Sequence, residues 1–334
     1  ICIGTVVAQR RTVIPAAVGG DIGCGMAAIR FDASADVLSD QGRAARLFDG
    51  LERTVPTMRH PRATMPDRLP EDLLQKPLSA TPLEKIKVRD GLVQFGTLGR
   101  GNHFLEFQSD TDGRLWLTVH SGSRAVGQDV TAFHLAAARA ARPSSTLVAL
   151  DADSPAGLAS LQDVAWARRY AEGNRLAMLE AAARLMRELF AAEAEPSSLI
   201  HSDHNHVRLE RHFGETWWVH RKGALSARAG EAGVIPGSMG DSSFHVEGKG
   251  HEPALASSSH GAGRALSRSD ARRRIGRKEL ERQMKGIWFD HRSAELFRDE
   301  APSAYKDIRK VMRAQRELTR IVRELRPLLS FKGR

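Results

Sequence analysis

Residues 158–194 read LASLQDVAWARRYAEGNRLAMLEAAARLMRELFAAEA, and the rest of the chain is arranged around this stretch. Val164, Ala167, Ala171, Leu176, Leu179, Ala183 and Met186 recur at helical spacing. The pattern softens at Gly173, since a mid-helix glycine costs roughly 1 kcal/mol relative to alanine. One long core helix is predicted. On its N-terminal side, residues 1–31 read as strands around a glycine-rich turn, 35–55 as a short amphipathic helix, and Val93–Phe107 and Leu115–His120 as further strands. Between them Met58–Pro82 holds five prolines and predicts a surface excursion. On its C-terminal side, strands resume between Thr216 and Val246, and two basic helices, 268–298 and 303–326, are expected to close the chain. Elements in this order predict an α+β fold. We read 1–334 as a single domain with central β-sheets surrounded by helices, rather than a regular βαβ succession, with 264–334 as its basic helical C-terminal part.

Composition narrows the class of protein. A chain of 334 residues with 41% hydrophobic residues can bury a sizeable core. No apolar run approaches the roughly 18 residues a membrane helix needs, and no signal-peptide pattern occurs, so a cytoplasmic location is the expectation. The two cysteines, Cys2 and Cys24, are too few for a disulfide framework, which leaves Cys24 free for chemistry. The chain opens at Ile1 directly into a β-branched stretch, as if further sequence preceded it. The formal charge of +10 is concentrated at one end, because Arg264–Arg334 carries 21 Lys and Arg against 10 Asp and Glu. Such an excess suits a polyanion such as nucleic acid, and it also suits a solvated, salt-bridged helical face.

Several segments carry residues fit for chemistry. In Gly19-Gly20-Asp21-Ile22-Gly23-Cys24-Gly25 a carboxylate and a thiol stand three residues apart on a backbone free to fold tightly, so they can share a divalent cation. A turn-forming Asp beside an inert Cys is the plainer alternative. Gly99–Glu106 delivers Asn102, His103 and Glu106 to the start of a strand, with His103 and Leu105 on one face if the strand begins that early. His120-Ser121-Gly122-Ser123-Arg124 reads as a metal ligand followed by a phosphate-holding turn. In His201–His206, with His212 following, spacing does not say which imidazole faces inward, and a histidine-rich surface tract is the alternative. Val234–Gly240 is an apolar strand breaking into a turn with exposed amides. In Ser257–Arg264 small residues flank His260, leaving room for a bulky ligand at the ring, so His260 is a candidate nucleophile toward phosphorus and Arg264 a phosphate partner if a helix begins there.

In chain order these segments resemble the RtcB family of RNA-splicing ligases. The resemblance rests on Val18–Met26, Gly101–Glu106, His120–Arg124, His204-Asn205, Ile235–Gly240 and Ser259–Arg264, covers essentially the whole chain, and at Arg221–Arg228 is similar to bacterial members. It implies an enzyme that joins RNA ends bearing a 2′,3′-cyclic phosphate or 3′-phosphate to a 5′-hydroxyl end, using GTP and two Mn(II) ions. By resemblance, the metal ligands are Asp21, Cys24, His103, His120 and His204, with Cys24 bridging, and His260 attacks the α-phosphorus of GTP. A guanylylated histidine and then an RNA 3′-guanylate would follow. The nucleotide would be held by Asn102, His103, Phe104, Leu105, Glu106, His204, Asn205, Pro236, Gly237, Ser238, Met239, Ser243, His260, Gly261, Ala262, Gly263 and Lys332.

Departures from the family pattern are few. A segment that family members carry with a further Asp/His motif is absent before Ile1. Asp203 stands where relatives have histidine, Arg100 replaces a smaller residue, and Arg334 follows the usual Lys-Gly end. Two other functions share these residues: a metal-dependent phosphoesterase or nuclease, which needs no covalent histidine, and a weakly active RNA-binding paralogue.

Overall fold

A computed structural model describes residues 1–141 and 147–333, so Arg334 lies outside the described residues. The strands in chain order are β1 (Thr5–Gln9), β2 (Thr12–Val13), β3 (Gly25–Ser34), β4 (Phe104–Asp110), β5 (Arg114–Ser121), β6 (Leu150–Asp151), β7 (Ala194–Asp203), β8 (Asn205–His212), β9 (Glu215–Lys222), β10 (Ala224–Ser226), β11 (Ala232–Ile235), β12 (Ser243–Gly248), β13 (Ser257–Ser259) and β14 (Thr319–Lys332). The helices are α1 (Gln41–Thr54), α2 (Glu71–Leu74), α3 (Thr81–Ile86), α4 (Leu92–Gln94), α5 (Arg124–Ala141), α6 (Pro155–Phe190), α7 (Arg268–Arg274), α8 (Arg277–Gln283) and α9 (Ile308–Ala314).

The long helix forms as its spacing predicts. Ser154 caps α6, its Oγ accepting from Gly157 N at 3.1 Å, and Pro155 sits at the first helical position, where its missing N–H costs nothing. The helix runs unbroken through Gly173 because that position packs against the Phe95 ring, which a Cβ would meet at 3.1 Å. It ends at Ala191, which adopts a left-handed φ of 53°.

Seven antiparallel strands form the main sheet, in the order β11-β12-β14-β4-β5-β3-β7. Its edge strands β11 and β7 come back into contact, so the sheet curls toward a barrel. The fold is α+β, as expected. Period-two alternation splits the sheet's faces: Leu105, Phe107, Leu115, Leu117 and Val119 point into a core closed by Leu47, Phe48 and Leu51 of α1 and Met178, Leu179 and Leu185 of α6. Each such fully buried Leu or Phe contributes roughly 1.5–3 kcal/mol. The opposite face presents Phe104, Glu106 and His120. The proline-rich stretch forms only short helical turns such as α2, yet it pins Leu69, Leu73 and Leu78 against Val164, Trp166 and Tyr170 of α6.

Three expected elements need correction. Val93–Phe107 is a strand only from Phe104, because Gly96, Gly99 and Gly101 all take positive φ and turn the preceding chain. The helix expected over 268–298 is broken into α7, α8 and a 3-10 stretch at His291–Glu300, with Gly276 and the positive-φ Gly286 interrupting it. The helix expected over 303–326 is replaced by α9 and the 14-residue strand β14, which sits in the middle of the sheet between β12 and β4. The physical reason is that Arg- and Glu-rich residues satisfy helix propensity locally, whereas Leu325, Leu329 and Phe331 find their burial by pairing with residues 105–110, more than 200 positions away. Pro327 is tolerated at this central position because the register with β4 shifts between Pro327 and Leu329.

Candidate active site

The sheet's polar face and the loops around it gather five side chains at one point. The Gly19–Gly25 loop turns at Gly23, whose φ of 69° lets it lie against the α6 backbone. Asn205 ties that loop down, donating from Nδ2 to Asp21 O at 2.9 Å and accepting from Gly223 N at 2.8 Å. Asp21 Oδ2 lies 2.9 Å from His103 Nε2, and Cys24 Sγ lies 3.5 Å from that same nitrogen. His120 Nε2 stands 3.3 Å from Cys24 Sγ and 3.4 Å from His204 Nε2.

Hydrogen bonding on the far side of each ring decides what these contacts mean. His103 Nδ1 lies 3.0 Å from Leu98 O and His120 Nδ1 lies 3.1 Å from Asn102 O; a carbonyl only accepts, so both Nδ1 atoms donate. A neutral ring then turns a bare Nε2 lone pair toward the others. Burial, reinforced by the neighbouring His103 and His260, holds His120 well below the usual imidazole range, and burial with His260 and His120 does the same to His204. Both rings are neutral. Lone pairs and a carboxylate therefore converge on the Cys24 thiol, whose single S–H cannot serve both His120 Nε2 and Asp21, whereas a cation in its place would satisfy them together. Asp21 Oδ1 is buried with no partner, and a Cβ on Gly122 would stand 2.1 Å from it. Burial alone would raise Asp21, but its contacts with His103 outweigh it and keep the carboxyl below its usual value. Burial and the Asp21 charge push the Cys24 thiol up, so its deprotonation calls for a bound cation. Cys24, His103 and His120 place ligand atoms within 4.8 Å of one another, and this thiolate, imidazole and carboxylate set suits a borderline divalent ion.

Beside the cluster opens a cavity of about 580 Å³. His260 stands between the two, its ring centroid 4.6 Å from that of His204. A hydrogen bond to the Gly223 backbone holds the ring, while burial outweighs that bond and keeps it below the usual imidazole value. Gly223 has a φ of 65°, and a Cβ there would come within 3.0 Å of the His260 ring. Deeper in, burial raises Glu106 to about 8 despite Gln108 and Lys332, and its Oε1 accepts from Gln108 Nε2 at 2.6 Å. Glu300 gathers the wall: Lys332 Nζ at 3.0 Å, Tyr305 Oη at 2.8 Å, Arg268 Nη1 at 2.6 Å and Arg264 Nη1 at 3.4 Å. Burial alone would raise Glu300; Lys332 and Arg268 more than compensate and keep it ionised. Three cations on this carboxylate, with Asp299 divided between Arg268 and Arg272, leave the wall positive. A cavity of this size and sign fits a phosphorylated ligand as large as a nucleotide.

A family model described as tRNA-splicing ligase RtcB matches residues 1–82 and 71–333. The chain belongs to the RtcB family. It is 36% identical to the RNA-splicing ligase RtcB of Escherichia coli K12 over 360 aligned positions, covering 99% of this chain and 86% of that protein. To RNA-splicing ligase RtcB of Mycobacterium tuberculosis it is 32% identical over 73% of this chain and 66% of the relative. RNA-splicing ligase RtcB2 of an E. coli strain, ATCC 25922, is 31% identical over 96% of this chain and 81% of its own length.

Of the residues singled out in this RtcB chain, Asp21, Cys24, His103, His120 and His204 meet in the cluster. Asn102, Phe104, Glu106, Pro236, Gly237, Ser238, Met239, Ser243, His260, Gly261, Ala262, Gly263 and Lys332 line the cavity. Leu105 does not: strand alternation turns its side chain into the core. Asn205 is a tie between loops rather than part of the cavity wall. The His201–His206 tract is no surface feature, since His204 and His206 are buried on β7 and β8 and their connection. Asp203 is turned away from the cluster into a second cavity of about 340 Å³, where Arg168, Arg208 and His206 compensate it. Arg264 opens no helix, because α7 starts at Arg268 with Ser267 as its cap; the guanidinium is held by Glu300 and Tyr305 instead. Arg124 begins α5 at a φ of 58° and packs its guanidinium over Gly99, near Asp21. Sequence reasoning missed Arg268, Glu300 and Tyr305, which sit in a charge-rich stretch without a motif.

Proposed function

We propose that this RtcB-family chain is an RNA ligase that joins RNA 3′-phosphate or 2′,3′-cyclic phosphate ends to 5′-hydroxyl ends, with GTP as the energy source and Mn(II) as the metal. One observation carries the reading: a half-buried histidine, His260, stands between a cluster of metal-type donors and a positive cavity of nucleotide size. A phosphoesterase would have no use for that third element.

Asp21, Cys24, His103, His120 and His204 would hold Mn(II), which when bound supplies positive charge beside the transferring phosphates. His260, kept neutral by burial, offers a ring nitrogen to the α-phosphorus of GTP; the N–P bond forms as the bond to pyrophosphate breaks. A 3′-phosphate oxygen of the RNA then takes the guanylate and frees the histidine, a cyclic end having first been opened by water. The 5′-hydroxyl oxygen next bonds to the RNA phosphorus as GMP leaves and the hydroxyl proton is lost. A phosphomonoester needs this capping because its own oxygen is a poor leaving group. Phe104 offers a ring face and Glu106 a carboxyl for the guanine edge, while Arg264, Arg268 and Lys332 face the anionic part.

The test is incubation with Mn(II) and α-labelled GTP. An acid-labile protein adduct is expected, and His260→Ala should abolish it while leaving the fold intact by circular dichroism. Label that persists in His260→Ala, or never appears in the wild type, would overturn the ligase reading in favour of a phosphoesterase or a binding paralogue.

A further inference from the structure

Helix α6 supplies no ligand to the cluster, yet two adjacent residues at its middle, Asn174 and Arg175, touch every segment that supplies His103, His120 and Cys24. Both side chains are fully buried. Arg175 Nη1 donates to Gly23 O at 2.7 Å and to Ser121 O at 2.6 Å. Gly23 immediately precedes Cys24, and Ser121 immediately follows His120. One nitrogen thus closes the gap between the end of β5 and the loop that enters β3. On its other side the guanidinium gives Nε and Nη2 to His201 Nε2, at 3.0 and 2.9 Å.

Asn174 joins the third segment. Its Oδ1 accepts from Gly96 N at 2.7 Å and Thr97 N at 3.1 Å, and its Nδ2 donates to Thr97 O and to Ser121 Oγ, each at 3.2 Å. Ser121 Oγ in turn donates to Leu98 O at 2.7 Å, the carbonyl that also orients His103. Among the described residues, Arg175 meets only neutral acceptors. A buried guanidinium without a contacting carboxylate is costly unless negative charge stands nearby. The negative charge that favours it most is Asp203, followed by Cys24 as a thiolate and by Asp21.

We infer that Asn174 and Arg175 are positioning residues for the metal centre: they fix the spacing of the Cys24, His103 and His120 segments, and Arg175 supplies a fixed positive charge behind the anionic ligands. Removal of such a supporting group typically weakens metal binding about 10–100-fold. The inference rests on the metal reading above.

Co(II) titration of the whole chain tests it, read by the thiolate-to-cobalt absorption that reports Cys24. Arg175→Met is expected to bind Co(II) at least tenfold more weakly and with a weakened thiolate band. Arg175→Lys, which keeps the charge but not the rigid fork, should fall between it and wild type. Asn174→Asp should also weaken binding, and with Arg175→Lys it carries the comparison if Arg175→Met does not fold. Asp163→Asn is the control: Asp163 is equally buried on the same helix, and among the described residues its side chain bonds Ser79 and His134, neither of them in a ligand segment. It should lower the melting temperature with unchanged cobalt affinity. A wild-type protein without the band would overturn the metal reading and this one with it. A band and affinity that survive in the Arg175 variants, or losses no greater than in Asp163→Asn at equal melting temperature, would overturn only the role given to Arg175 and Asn174.

Discussion

Gly122→Ala isolates the geometry of the metal cluster from its chemistry. Gly122 has an ordinary φ that alanine adopts freely, so the only effect is steric: the new Cβ would stand 2.1 Å from Asp21 Oδ1 and 2.4 Å from its carboxyl carbon. Because Cβ contacts under 3.0 Å essentially do not occur, the carboxylate must retreat by about 1 Å or the β5–α5 junction must move by as much. The junction is held by Arg175 and Asn174, so the carboxylate yields, and its 2.9 Å approach to His103 Nε2 is lost. Catalytic constellations tolerate roughly 0.5 Å, and a 1 Å misplacement costs on the order of 100-fold in rate. Overpacking should also cost about 1–3 kcal/mol of stability. The assays are divalent-metal titration and guanylate adduct formation at saturating GTP, with Gly276→Ala, whose Cβ meets nothing within 4 Å, as the control. A Gly122→Ala protein with wild-type metal affinity and adduct rate would refute the placement of Asp21 at the centre.

Other consequences are equally open to measurement. Glu106 is raised to about 8 when folded and titrates near its ordinary value when unfolded; the unfolded chain loses that proton first, so stability should fall as pH rises from about 4.5 toward 8 and level off above. Glu106→Gln should remove that slope from a plot of melting temperature against pH, and an unchanged slope would show that Glu106 is not the group responsible. Lys332→Met strips one of three cations from Glu300; Arg264 and Arg268 remain, so the cost should fall below the roughly 3–5 kcal/mol of leaving a buried charge unpaired, and calorimetry should find modestly lost stability together with weaker GTP binding. Arg273→Glu with Arg274→Glu reverses two exposed charges on α7; if RNA phosphates lie there, affinity should drop for all sequences alike and the slope of log K against log salt should flatten, whereas an unaltered slope would place the RNA elsewhere.

Legibility in the sequence followed the range of the interactions. Asp21, Cys24, His103, His120 and His260 were readable because glycines and small residues around each advertise a turn or an open ring nitrogen within a few positions. Glu300 and Arg268 were not, since each looks like one more charge in a basic stretch until Lys332 and Tyr305 are brought beside it. The same limit misled the element assignment at the C-terminus. Nothing local in Thr319–Lys332 reveals that β4 and β12 lie ready on either side.

By itself the sequence determined α6, whose 36 residues repeat one period and carry their own cap, and the set of ligand types available to a metal, since residue identity and turn chemistry are local properties. Only the tertiary structure decided which members of the histidine tract turn inward, that Leu105 serves the core while Glu106 serves the cavity, and that an arginine in the middle of α6 stands behind the cluster. Those outcomes depend on which strands pair and which backbone carbonyls a distant side chain reaches. Such partners lie 50 to 200 residues distant, and no local pattern encodes them.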